Sequence, residues 1–203
     1  MTPKPPRTIL EALGGPVGII DSVAPSTAFV MTYVVSGHRL AVAAGVAGLV
    51  GLILGAVRVA KGQTVLHAAG GLAGVALAAF VALRSGRAEN YFLPGLLLNG
   101  LYATGSALSI MIRWPFLGVA ANLMTRRGMG WRRDLDERKA YSQASWLWVV
   151  LFASRVAVQL PLYLAGAVLA LGVANLAMNQ PLTAAGLWMT YLLLRRRVAI
   201  LRS

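Results

Sequence analysis

The chain has 203 residues, 58% of them hydrophobic and 12% charged, with 22 glycines, no cysteine and a formal net charge of +13. Soluble domains carry about 25% charged residues, so a soluble fold of this length has too little polar surface to cover its apolar side chains, whereas a bilayer solvates them directly. The missing cysteines exclude disulfides and thiolate metal sites, and the basic residues sit at the ends of apolar runs, which argues for membrane orientation and against nucleic acid.

A membrane-spanning helix needs about 20 mostly apolar residues, and six segments meet or approach that length. The first, residues 16–36, is interrupted by Asp21 and Pro25 and followed by no small-x-small site, so it reads as a retained span and not as a cleaved signal peptide. The second (40–57) and third (64–83) are rich in small residues. The fourth covers 91–112, and a long polar cytoplasmic loop follows over 113–144. Within it, residues 115–124 are apolar enough to lie along the membrane surface, ahead of a basic run with Arg126, Arg127, Arg132 and Arg133. The fifth span covers 145–165 and the sixth 182–194. The sixth is short, and gains length from the apolar stretch 167–178 or from Arg195, Arg196 and Arg197 snorkelling to the interface.

Charge sets the orientation. With the N-terminus in the cytoplasm, 15 Lys and Arg face inward, only Arg39, Arg84 and Arg87 face outward, and Arg155 lies inside a span. The reversed topology inverts that bias, so both termini are assigned to the cytoplasm. The expected fold is an all-α integral membrane bundle of about six transmembrane helices, forming a single domain over residues 1–203 of the plasma (inner) membrane.

Lipid gives helices no hydrophobic reason to associate, so close packing relies on small residues. Gly51 with Gly55 on the second span and Gly70 with Gly74 on the third form small-xxx-small pairs that predict a packed hairpin. On the fourth span Gly95, Asn99, Tyr102, Ser106 and Ser109 share one helical face. On the fifth, Ser145, Trp148, Phe152, Arg155 and Gln159 do the same. A mid-span arginine costs at least about 2.5–3.5 kcal/mol to insert and needs compensation. Asp21 is the candidate counter-charge, since the other carboxylates fall in loops or at interfaces. Counted from the cytoplasmic side, Asp21 lies roughly 8 Å deep and Arg155 roughly 15 Å, a gap the long side chain bridges. These depths predict a polar intramembrane cluster of Asp21, Asn99, Tyr102, Arg155 and Gln159. It serves either as a clamp fixing helix register or as a site where Arg155 holds an anionic group while Asn99 and Tyr102 orient it.

No His pair, nor His with an acid, has metal-ligand spacing. No triad pattern or phosphate loop appears. No metal and no cofactor is therefore expected. His67 and His38 read as isolated residues, and Glu89 as the local charge partner of Arg84 and Arg87. Trp131, Trp146 and Trp148 fit an interfacial aromatic belt.

The segments GGPVGIIDSVAPSTAFV, YFLPGLLLNGLYATGSALSIMIRWP and WRRDLDERKAYSQASWLWVVLFASRVAVQLPLYLAG together resemble the actinobacterial membrane family catalogued as domain of unknown function 3159, over residues 13–197. The resemblance implies a multi-pass membrane protein and brings no activity, cofactor or catalytic residue. A weaker likeness, on Trp131, Arg132 and Arg133 and overall size, extends to the intracellular septation protein A family and hints at envelope synthesis.

The leading functional expectation is a non-enzymatic accessory or organising protein of the cell envelope or of membrane transport. Its partners are anionic lipid headgroups at Arg126, Arg127, Arg132 and Arg133, with a protein partner or a second copy of the chain as further candidates. The alternatives are a transporter or binding protein for a small anionic or amphipathic compound, and a lipid- or isoprenoid-modifying enzyme that uses Asp21 as acid or base.

Overall fold

The computed structural model describes residues 15–62, 65–125 and 134–200, and within the helices it leaves aside the side chains of residues 15–22, 65–68, 122–125, 136 and 194–200. Among the described residues the chain is all-helical, with no strand. In chain order the helices are α1 (Gly15–Val35), α2 (Leu40–Ala60), α3 (Val65–Ser85), α4 (Leu93–Met111), α5 (Phe116–Thr125), α6 (Leu135–Leu164) and α7 (Val168–Ile200), with a 3-10 turn at Ala88–Tyr91 between α3 and α4. Each of the six apolar segments falls within or largely within one long helix. The stretch 167–178 enters the last of them, because α7 runs unbroken through Pro181 for 33 residues. A helix satisfies its own backbone groups, which an apolar surround demands. The internal prolines Pro25, Pro161 and Pro181 each remove one N–H donor from that ladder.

Among the described residues two helical stretches, Leu40–Ala60 and Glu137–Leu164, are long and apolar enough to cross a membrane, with mean hydropathies of 2.4 and 1.6. Val23–Val35 and Ala69–Ser85 are shorter apolar stretches of their helices. Large apolar side chains stand exposed on every long helix, among them Val35, Ile53, Phe80, Leu101, Met111, Leu164 and Trp188. The buried positions, in contrast, include Asn90, Ser106, Ser145, Arg155 and Gln159.

The chain divides into two units. The first takes residues 1–97 and 158–180. Its core joins Phe29 and Val30 of α1, Ala43, Ala44 and Ala47 of α2, Ala78 and Ala82 of α3, and Val168 and Leu171 of α7. The buried side of α2 is made of Ala43, Ala44, Ala47 and Gly51; their small size lets α2 pack closely on both α1 and α3. Phe29 stacks on Tyr91 with ring centroids 3.9 Å apart and meets Phe92 edge-on at 6.3 Å. The 3-10 turn is thereby held against α1.

The second unit takes residues 98–157 and 181–203. Here α6 and α7 run antiparallel, held at three successive levels. Trp148 Nε1 donates to Thr190 Oγ1 at 3.1 Å. One turn on, Leu151 lies over Gly186, where an added Cβ would come within 2.7 Å of Leu151 Cδ1. Beyond that, Arg155 Nη2 donates to Thr183 Oγ1 at 2.7 Å. The paired positions advance on one helix as they recede on the other, which fixes the register. The helix α5 is docked by two serines: Ser109 Oγ accepts from Phe116 N at 3.2 Å and Ser145 Oγ from Leu117 N at 3.2 Å. These serines satisfy two of the donors that a helix N-terminus leaves open.

Candidate functional site

Two polar groupings stand out, one in each unit. In the second unit Arg155 is only 7% exposed. Its guanidinium donates to Thr183 and lies 5.9 Å from the centre of the Phe152 ring. Phe152 in turn contacts Trp148 at 5.7 Å and Tyr102 at 5.3 Å between ring centroids. The α6 stripe of Ala140, Ala144, Leu151, Arg155 and Gln159 is buried at helical spacing, so Arg155 is aimed inward by the same periodicity that aims the alanines. A planar fork of donors against a hydroxyl and a ring face is suited to holding two helices in register or to receiving an acceptor group.

The residues expected in one polar cluster have distinct surroundings. Arg155 and Gln159 are both buried, one turn apart on α6. Asn99 is half-buried on α4. Tyr102 is 53% exposed, with its ring against Phe152. Asp21 belongs to α1, and its side chain lies outside the described residues. Among the expected packing glycines, Gly51 is buried and a Cβ there would come within 3.3 Å of Val75 Cγ1. Gly55 is half-buried, and Gly70 and Gly74 are exposed with nothing within 4 Å of an added Cβ. Arg126, Arg127, Arg132 and Arg133 lie outside the described residues, as does the His67 side chain. No group of three or more His, Cys, Asp or Glu able to hold a metal occurs among the described residues.

The first unit holds a cleft of about 430 Å³ lined by Tyr33, Val34, His38, Glu89, Gly166 and residues 167–170. Three connections build it: α1–α2, α3–α4 and α6–α7. Each of them carries a glycine in the left-handed region, Gly37 at φ +68°, Gly86 at φ +68° and Gly166 at φ +65°, and the first and last have the same hydrogen-bond pattern. After α1, His38 N donates to Tyr33 O at 2.8 Å and Gly37 N to Val34 O at 3.3 Å. After α6, Ala167 N donates to Leu162 O at 3.0 Å and Gly166 N to Tyr163 O at 3.0 Å. Both are the doubly bonded helix ending that needs a residue without a Cβ penalty.

Glu89 is nearly buried, and its Oε1 accepts from Arg87 Nε at 2.6 Å. Next to it Asn90, also buried, accepts at Oδ1 from the Tyr163 hydroxyl at 2.5 Å. This ties the α3–α4 connection to the end of α6. The Tyr33 and His38 rings meet edge-on at 5.0 Å. The bond from Arg87 to Glu89 matches the local pairing read from sequence. The burial of Glu89 and its place in a cleft were not legible there: Asn90 and Tyr163 are 73 positions apart, and no motif links them.

A family model described as "Protein of unknown function (DUF3159)" matches residues 13–200. No curated protein and no solved structure matches the chain.

Proposed function

The chain belongs to the DUF3159 family, and on that premise we propose that it is a multi-pass protein of the plasma (inner) membrane, with six spans and both termini in the cytoplasm. In this reading it acts as a non-enzymatic accessory or organiser of envelope or transport machinery. The observation that carries the membrane reading is the exposure of large apolar side chains along every long helix while several polar side chains are buried. Val35 is 81% exposed, Met111 74% and Leu164 71%, while Arg155, Gln159, Ser145 and Asn90 are buried. Water penalises that arrangement and lipid favours it. The three connections that meet at the cleft are the same three that charge counting assigns to the outer side, which supports one shared face for them.

The non-enzymatic reading is supported by what Arg155 does. Its guanidinium joins α6 to α7 through Thr183, a register-fixing role. The basic run Arg126, Arg127, Arg132 and Arg133 then remains as the surface for anionic headgroups or a partner, each basic side chain near such a surface contributing about 1 kcal/mol. A second reading, a site for a small anionic or amphipathic compound at Arg155, draws on the depth at which that one cation is buried. Complementation of a deletion strain separates the two. Replacing the four loop arginines by glutamine is expected to abolish rescue, while a folded Arg155→Met protein still rescues. Rescue by the loop variant together with failure of a folded Arg155→Met protein would reverse the order of the two readings.

A further inference from the structure

We propose that the cleft between Tyr33, His38, Glu89 and the start of α7 binds an ammonium group carried on an apolar body, with Glu89 as its counter-ion. The inference rests on residues of the first unit alone and does not depend on the function proposed above.

The sign of the ligand follows from the lining. Glu89 is the one carboxylate in the lining, and no lysine or arginine is among the lining residues. An anion placed there would face a carboxylate that little water screens, whereas a cation neutralises it. The carboxylate is also poised for such a partner. Arg87 holds Oε1 at 2.6 Å and so fixes its direction, while Oε2 accepts no hydrogen bond among the described residues. Arg87 is itself 61% exposed on its side chain while that of Glu89 is 11% exposed, so water screens the cation more than the carboxylate, which keeps the capacity for a second, better desolvated donor.

The walls fit the rest of such a ligand. Tyr33 offers an aromatic ring, fixed edge-on against His38 at 5.0 Å, and ring faces attract ammonium groups. Val34, Val168, Leu169 and Ala170 supply an apolar surface beside it. The volume of about 430 Å³ lies in the range of small-ligand sites, roughly 300–1,000 Å³. An ammonium on an apolar body is presented by ethanolamine lipids and by free alkylamines alike.

The test uses the full-length protein purified in a neutral maltoside. Octylamine, octanoate and octanol are titrated separately while the melting temperature is followed, and phosphatidylethanolamine is then added as a competitor. Octylamine is expected to raise the melting temperature in a saturable manner, and the other two to have no such effect. Glu89→Gln is expected to weaken octylamine binding roughly tenfold or more, as loss of a charged hydrogen-bond partner does. Leu169→Trp, which fills the cleft and leaves the carboxylate in place, is expected to do the same and carries the test if Glu89→Gln does not fold. Competition by phosphatidylethanolamine assigns the ammonium to a lipid headgroup and its absence to a free amine, and either result supports the site. Octanoate stabilising as well as octylamine, no saturable response to octylamine, or binding unchanged in Leu169→Trp would each overturn the proposal.

Discussion

Gly172→Leu is expected to cost about 3 kcal/mol or more, the upper end for overpacking a tight contact, and to leave little folded protein. A Cβ at Gly172 would stand 2.6 Å from Val30 Cγ2, 3.2 Å from Cγ1 and 3.3 Å from Cβ. Val30 is buried beside Phe29 in the core of the first unit. As a β-branched residue in a helix it has one favoured rotamer, so it cannot swing clear. Pairing Gly172→Ala with Val30→Ala removes both γ-methyl groups and is expected to recover much of the loss in melting temperature. Gly186→Leu should cost less, because its close neighbour is the mobile Cδ1 tip of Leu151 at 2.7 Å. Gly70→Leu and Gly74→Leu, where an added Cβ meets nothing within 4 Å, should stay within about 0.5 kcal/mol of wild type.

The second large effect lies at Arg155. Arg155→Met removes the hydrogen bond to Thr183, and a hydrogen bond to a charged group is worth about 1.5–3 kcal/mol. Thr183→Val should show a comparable loss, and the double variant less than the sum of the two, because both remove the same contact. Arg155→Lys is expected not to restore wild-type stability. An ammonium lacks the planar fork that reaches Thr183 while the guanidinium lies 5.9 Å from the Phe152 ring. Unfolding of the four proteins in one detergent gives the cycle directly. Additive losses would mean that Arg155 does not act through Thr183.

Helix positions were the most legible part of the fold, because an apolar run of about 20 residues has few alternatives. The sixth segment read as short because Asn175, Asn179, Gln180 and Pro181 break the apolar run. The helix continues through them, with the donor missing at Pro181 costing one hydrogen bond in a 33-residue element. The inward aim of Arg155 and Gln159 also follows from period, since both fall on the α6 stripe that buries Ala144 and Leu151. Period says which residues share a face but not how deeply each is covered, and so it gave Tyr102 and Ser106 equal standing although Tyr102 is exposed and Ser106 buried.

Packing glycines were legible only where they recur. Gly172 and Gly186 make the tightest approaches among the described glycines, yet neither has a second glycine at small-xxx-small spacing. Their importance comes from Val30 and Leu151, which no local pattern connects to them. The cleft was hidden for a related reason: Tyr33 comes from the last turn of α1 and Glu89 and Gly166 from two separate connections, and their convergence is a property of the packed helices.

Cysteine accessibility in intact cells tests the membrane topology most directly, because the chain has no cysteine of its own and every label reports an introduced site. Single variants Arg39→Cys, Arg87→Cys and Ala165→Cys are expected to react with a membrane-impermeant maleimide in intact cells. Lys61→Cys and Arg138→Cys are expected to react only after permeabilisation. Labelling of Lys61→Cys in intact cells with protection of Arg39→Cys would contradict the orientation, and release of the protein from membranes by an alkaline wash would contradict the spanning bundle itself.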